Sequence, residues 1–120
     1  MTKFQEVIEA ILKRRGFFEA FKASDEFHLR LQMKSYMPLV IERIGNMISV
    51  AHYYEQNGDL IADPDVELNF ATWEPTAIQQ VFGYTRVTDE RTRRDIASFL
   101  DLWAFNIQEQ GWAEKGEVVD

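Results

Sequence analysis

The sequence predicts an α+β domain, a five-strand antiparallel meander with an N-terminal and a C-terminal helix packed on one face. Apolar residues recur at helical spacing near both ends of the chain, and between those segments they alternate with polar residues as in half-exposed strands. Gly45-Asn46 separates two alternating runs by the two residues of a tight hairpin turn. A sheet whose single apolar face is covered by both helices accounts for these observations.

The first helix is predicted from its ends as well as from its apolar stripe. Thr2 and Gln5 fit a capping box, in which the hydroxyl accepts from the backbone of the third helical residue and the glutamine reaches back. The basic residues 13–15 suit the last turn of a helix, and Gly16 can adopt the left-handed conformation that ends it. The stripe is Phe4, Val7, Ile8, Ile11 and Leu12. An irregular connector under the core is expected to hold Phe17, Phe18 and Phe21.

Alternation of apolar and polar residues predicts the strands. In residues 27–34 every second residue is apolar, from Phe27 to Met33. The last strand is less regular and follows a turn region around Pro75. The predicted strands are 27–34, 37–44, 47–54, 66–70 and 78–87.

The Gly45-Asn46 turn fixes the register of the second and third strands. A two-residue turn places Ile41 opposite Val50 and Leu39 opposite His52. Because three of these four residues are aliphatic, we expect their face to form the core.

The connection after the first strand must then have an odd number of residues, most simply Ser35-Tyr36-Met37. An odd connection brings the apolar residues of 27–34 to the core face. A two-residue turn would instead bury Arg30 and Gln32, so parity argues against it.

The second helix is predicted to begin near Asp89, a good N-cap residue, and to end at Gly111. Trp112 can pack back on Ile107 after the turn. The buried stripe is expected to be Ile96, Phe99, Leu100, Trp103 and Ile107. We therefore predict a single α+β domain over residues 1–112 and an acidic, flexible tail over residues 113–120.

Composition excludes several classes of protein. The 120 residues are 46% hydrophobic, enough for one domain with a sizeable core. A net charge of -7 argues against a nucleic-acid or anionic-membrane binder, and the absence of cysteine excludes disulfides and thiolate chemistry. No apolar run reaches the length of a membrane span and no signal peptide is evident, so a cytoplasmic location is expected.

The segment from His52 to Phe70 carries a resemblance to a known family. The motifs His52-Tyr53-Tyr54, Asn57-Gly58-Asp59-Leu60 and Asp63-Pro64 resemble a family of small bacterial proteins often found on plasmids and other mobile elements. That family is known only as a domain of unknown function. The resemblance implies a fold and a genomic setting, but no reaction and no catalytic residues.

The same segment holds the candidate ligand-binding residues His52, Tyr54, Asn57, Asp59 and Asp63. Several oxygen ligands in a row suit a hard cation such as calcium, although their spacing does not match an EF-hand loop. The ordinary interpretation is that the acids form turns and that the histidine is a hydrogen-bonded core residue. No metal site, cofactor or catalytic residue is assigned.

The other face of the sheet is a candidate interaction face, formed by Arg30, Glu42, Tyr53 and Glu67. Tyrosine and arginine are common anchors of protein interfaces, yet a mixed polar face is also typical of plain solvent exposure. A second surface feature is the basic cluster of Arg86, Arg91, Arg93 and Arg94. Three of these arginines lie in the first turns of the second helix, where they are unfavourable to the dipole. They indicate either a bound anion or acidic partner, or salt bridges to nearby acids.

The sequence favours a non-enzymatic accessory or protein-interaction domain. The family resemblance implies that this domain belongs to a mobile element. The alternative is a small-molecule or divalent-metal-binding domain, even a minor enzyme, with its site near His52, Asp59 and Asp63. A third interpretation, an acidic mimic of DNA, fits less well because arginines are interspersed with the acids.

Overall fold

A computed structural model describes residues 1–119. Two helices precede six consecutive strands, and two further helices and a seventh strand follow them. The elements are α1 Lys3–Arg15, α2 Phe18–Ala23, β1 Glu26–Gln32, β2 Leu39–Ile44, β3 Met47–Gln56, β4 Asp59–Asn69, β5 Pro75–Gln80, β6 Gly83–Arg86, α3 Glu90–Gln110, α4 Trp112–Lys115 and β7 Glu117–Val119.

The α+β class is confirmed, but the antiparallel sheet has seven strands where five were predicted. Their spatial order is β6-β5-β4-β3-β2-β1-β7, so the first six form a meander and β7 returns to pair with β1. The predicted fifth strand is in fact the hairpin β5–β6, which turns at Val81-Phe82. An apolar turn gives no polar signal in the sequence. The only local cue is Gly83, whose φ of 149° is accessible to glycine.

Residues 113–119 carry regular structure where the sequence predicted a tail. Trp112 is fully buried at the start of α4, and β7 pairs with the outer edge of β1. Gly116 permits this return, because a Cβ there would lie 2.8 Å from the carbonyl oxygen of Trp112. The last residue of the predicted tail, Asp120, lies outside the described residues.

The ends of α1 largely follow the prediction. The Thr2 hydroxyl accepts from the backbone N–H of Gln5 at 3.1 Å, and Gly16 closes the helix with a φ of 81°. The reciprocal half of the capping box is wrong, because the Gln5 side chain donates to Glu9 instead. The expected irregular connector is also wrong, since Phe18–Ala23 forms the short helix α2.

The register of β2 with β3 is as predicted from turn geometry, whereas β1 and β2 keep only the predicted parity. Leu31 pairs with Leu39, so residues 33–38 form the connection rather than Ser35-Tyr36-Met37. Ile41 pairs with Val50 and Leu39 with His52. Leu29 pairs with Ile41 across β1 and β2, so the connection has the predicted parity and Arg30 is not beneath a helix. The core therefore lies between one face of the sheet and the helices. Its buried members include Phe4, Ile8, Ile11, Leu29, Leu31, Ile48, Val66, Ile96, Trp103 and Ile107.

The predicted loop between the third and fourth strands is a long hairpin. β3 continues to Gln56 and β4 begins at Asp59, so that only Asn57-Gly58 forms the turn. The pairing slips by one residue near His52, where Asp63 and Pro64 together stand opposite it in a β-bulge. Bulges tolerate proline because they leave a ladder position unpaired.

The boundaries of α3 agree with the sequence. Asp89 caps its first turn by accepting from the backbone N–H of Thr92 at 2.8 Å, and Gly111 ends it with a φ of 83°. Within residues 1–119 no helix combines the length and the apolar character needed to cross a membrane.

Candidate functional site

His52 lies in the core, between two tryptophans. Its ring centroid is 5.6 Å from that of Trp103 and 5.8 Å from that of Trp112. Its Nδ1 is 3.1 Å from the carbonyl oxygen of Met37 and 3.2 Å from that of Pro38. Because both neighbours are acceptors, Nδ1 carries a proton and donates. His52 thereby ties the β1–β2 connection to the aromatic core.

Burial lowers the pKa of the His52 imidazole, and the two carbonyl oxygens only partly offset that effect. The folded protein therefore keeps this side chain neutral at pH values where the unfolded chain protonates it. An acid–base role near neutral pH would need an open path to the ring, whereas His52 is buried.

We expect His52 to make the protein less stable in mild acid. As pH falls below about 6.5 the unfolded chain binds a proton first, so the His52 contribution is lost by up to ~1.4 kcal/mol per pH unit until the lower folded-state pKa is reached. His52→Asn retains a donor toward the carbonyl oxygens but cannot titrate. Urea titrations between neutral and mildly acidic pH measure the free energy of unfolding of wild type and of this variant. The difference between the two should shrink as pH falls. A constant difference would contradict a lowered pKa.

The other predicted ligand-binding residues do not gather around His52. Asn57 occupies the hairpin turn with a φ of 53°, and Asp59 pairs with Gln56 beside it. Gln56 lies four residues further along the extended strand than His52, a distance of about 13 Å. Asp59 is thus too far away to orient the imidazole. Only Asp63, in the bulge, stands opposite His52.

Tyr54 is half-buried and pairs with Ile61 further along the hairpin. Among residues 1–119, the structure brings no three His, Asp or Glu side chains together in a group that could hold a metal ion. The geometry of this hairpin accordingly favours the structural interpretation of its residues over a ligand site.

The open face of the sheet does bring its predicted residues together. Glu42, Ser49 and Glu67 lie directly across neighbouring strands β2, β3 and β4. A parallel row, one step along the strands, contains Arg30, Val40, Ala51, Asp65, Gln79 and Tyr84. Directly opposite residues in antiparallel strands have Cβ atoms about 4.5–5.5 Å apart, so each row is a continuous surface.

Small side chains form the floor of this face. Val40, Ala51 and Ala77 are buried although they are not part of the core cluster on the helical side. Polar residues of the same two rows surround them. We call these small residues together with their polar neighbours the trough.

Asp65 is the third acid of the trough and was not among the residues predicted for the interaction face. It accepts a 2.6 Å hydrogen bond from the hydroxyl of the buried Ser49. Burial raises the pKa of its carboxyl group, and the nearby carboxylate of Glu67 raises it further, against the opposing effect of the hydroxyl. Alternation along β4 already predicts that Asp65 shares a face with Glu67, but only its cross-strand contact with Ser49 distinguishes it from other strand acids.

Two tyrosines flank the acids. Burial raises the pKa of Tyr53, and the carboxylates of Asp65 and Glu42 add to this effect. The hydroxyl of Tyr84 lies 3.4 Å from Glu67 Oε2, to which it donates. Aromatic rings beside carboxylates can contact a cation through both the ring face and the charge.

Among residues 1–119, none of the trough acids forms an ion pair within 4.0 Å, although Arg30 and Arg86 lie on the same face of the sheet. Within the described part of the chain, three ion pairs form within 4.0 Å, and all three lie within helices α1, α2 and α3. Of the basic cluster, Arg93 is paired with Glu90, as one interpretation of the sequence expected. Arg91 and Arg94 take part in none of the three pairs.

Comparisons with known proteins add a family but no activity. A protein-family model described as a domain of unknown function matches residues 6–113. No curated protein and no solved structure matches the chain.

Proposed function

This chain belongs to the DUF6908 family, a domain of unknown function, and we propose that it is a protein-interaction domain whose trough binds a basic segment of another protein. The observation that carries this proposal is the set of three acids, Glu42, Asp65 and Glu67, which share one open sheet face and form no ion pair within 4.0 Å in the described residues. Like charges on one surface repel one another, and a cationic partner would relieve that repulsion.

The raised pKa of Asp65 supports the same proposal. Since its folded-state pKa is raised, its stabilising contribution is present at low pH and lost as pH rises through that value. Ionised Asp65 therefore costs stability at neutral pH. Functional surfaces commonly retain residues that the folded state alone would not favour.

A basic partner also fits the chemistry of the trough. Arginine presents a planar fork of donors to carboxylates and stacks on aromatic rings. Tyr53 and Tyr84 provide such rings beside Glu42, Asp65 and Glu67.

The expected result of a random-peptide display selection on the purified protein is enrichment of peptides that contain Arg or Lys. Glu42→Lys/Glu67→Lys should reduce the affinity of the enriched peptides by at least about 10-fold, because it reverses the charge of the trough. The matched control Glu6→Lys/Glu114→Lys makes the same change of net charge at exposed helical positions and should bind as wild type does. Fluorescence anisotropy at low and high salt measures each affinity.

Asp65→Asn provides a second, independent arm of this test. Asparagine keeps an acceptor for Ser49 but removes the charge, so this variant should unfold at a higher urea concentration than wild type at neutral pH. It should nonetheless bind the enriched peptides more weakly. Enrichment of acidic or uncharged peptides, or equal binding by the trough variant, would refute the proposal.

The bacterial and mobile-element setting of this protein is proposed on the family resemblance alone. The motifs around His52 and Asn57-Gly58-Asp59 support an accessory protein of a bacterial mobile element, and the genes that flank this one test that assignment. The cytoplasmic location expected from the sequence stays a prediction.

A further inference from the structure

The outward surface of α3 carries a second regular stripe. Six exposed residues recur at alternating intervals of four and three positions. At 100° per residue they fall within an arc of about 80°, on the side of the helix opposite its buried stripe. This outer stripe consists of Arg91, Asp95, Ser98, Leu102, Phe105 and Glu109.

The middle of the outer stripe is apolar. Leu102 and Phe105 are 60% and 55% exposed, although they stand one helical turn apart on a helix whose other apolar residues are largely buried. Adjacent large apolar side chains on a solvent-facing helix are typical of a helix–helix contact.

The ends of the outer stripe carry charges opposite to those that the helix dipole favours. Arg91 lies in the first turn, where negative charge is favourable, and Glu109 lies in the last turn, which has no basic residue. Neither belongs to the ion pairs found within 4.0 Å in residues 1–119. An antiparallel helix would present the complementary charge at each end.

We propose that the outer stripe is a homodimer contact, in which α3 packs antiparallel against α3 of a second copy of this chain. With the twofold axis level with Leu100, which itself lies on the buried side of α3, Arg91 faces Glu109 of the second copy. The small Ser98 faces Leu102 of the second copy, and Asp95 faces Phe105. The stripe thus complements itself in charge at its two ends and in size at Ser98 and Leu102, and the matched end charges favour a second copy as the occupant over an unrelated helix.

The contact is of limited size. The stripe extends about 27 Å along the helix, and one helix pair of that length buries less than the roughly 1,200 Å² of a standard interface. The dimer is therefore weak and depends on protein concentration. It leaves the trough on the opposite side of the sheet accessible, so it is independent of the proposed function.

Sedimentation velocity over micromolar to millimolar protein is expected to show a monomer–dimer equilibrium that salt weakens. Leu102→Ser/Phe105→Ser should raise the dimer Kd by at least about 10-fold. The matched control is Val81→Ser/Phe82→Ser, which removes a pair of exposed apolar residues from the β5–β6 turn. It should leave the Kd unchanged. A wild type that stays monomeric at millimolar concentration would overturn the proposal.

Charge exchange tests the antiparallel arrangement itself. Arg91→Glu and Glu109→Arg should each abolish self-association, because like charges then meet at both ends of the helix pair. A mixture of these two variants should form a heterodimer, and the double variant should dimerise like wild type. Arg14→Glu, an exposed position of α1, is the control for altered net charge and should dimerise normally. Failure of the mixture to associate would exclude this geometry even if the wild type dimerises.

Discussion

Replacing Trp103 with alanine is expected to lower the free energy of unfolding by about 3–5 kcal/mol. Trp103 is buried where α1, α3 and the sheet meet. Its ring stacks on Phe4 at 5.5 Å and lies 5.6 Å from His52 and 5.9 Å from Phe99. Alanine would leave a cavity lined by three aromatic groups, and rigid rings on separate elements collapse poorly into such a space.

Urea unfolding followed by circular dichroism measures this effect. Phe82→Ala is the matched control, since it also removes an aromatic ring but from a position 80% exposed, and it should change stability by no more than about 0.5 kcal/mol. A loss below about 1 kcal/mol for Trp103→Ala would show that the ring does not fill the core.

Replacing Arg43 with methionine is expected to cost about 2–4 kcal/mol. Arg43 points to the core face of β2, and its guanidinium lies 3.5 Å from the ring centroid of Phe70. Nη1 donates to the carbonyl oxygens of Phe21 and Lys22 at 3.0 and 2.7 Å, and Nε donates to that of Gly45 at 2.8 Å. Methionine would leave the last carbonyl oxygens of α2 without these donors.

Arg43→Lys separates charge from geometry. Lysine keeps the positive charge but lacks the planar fork that reaches three carbonyl oxygens, so we expect it to recover less than half of the lost stability. Arg30→Met, on the open face of the adjacent strand, controls for loss of an arginine and should change the free energy of unfolding by no more than about 1 kcal/mol. Full recovery by lysine would mean that charge alone matters at position 43.

The sequence alone was sufficient to predict the structure where local backbone geometry determines it. A two-residue turn at Gly45-Asn46 determines the pairing of β2 with β3, because the side-chain period of a strand is two. The same parity placed His52 on the core face before any contact was known. Caps and stripes likewise defined α1 and α3 to within a residue or two.

The sequence was insufficient where a segment takes its conformation from a neighbour. Glu117–Val119 has no pattern of its own and becomes a strand because β1 offers an unpaired edge. The β5–β6 hairpin turns through two apolar residues, which resemble the interior of a strand. Asp59 was grouped with His52 by proximity in the chain, whereas strand extension separates them.

The candidate sites also include features that the sequence predicts and features that only the tertiary structure determines. The alternation of residues by itself determined that Arg30, Glu42, Tyr53 and Glu67 share one face, since parity along paired strands is a local property. Only the tertiary structure showed that Ser49 donates a hydrogen bond to Asp65, and that the three acids form no ion pair within 4.0 Å in the described residues. Burial and pKa depend on atoms from several strands at once, so no single stretch of sequence contains them.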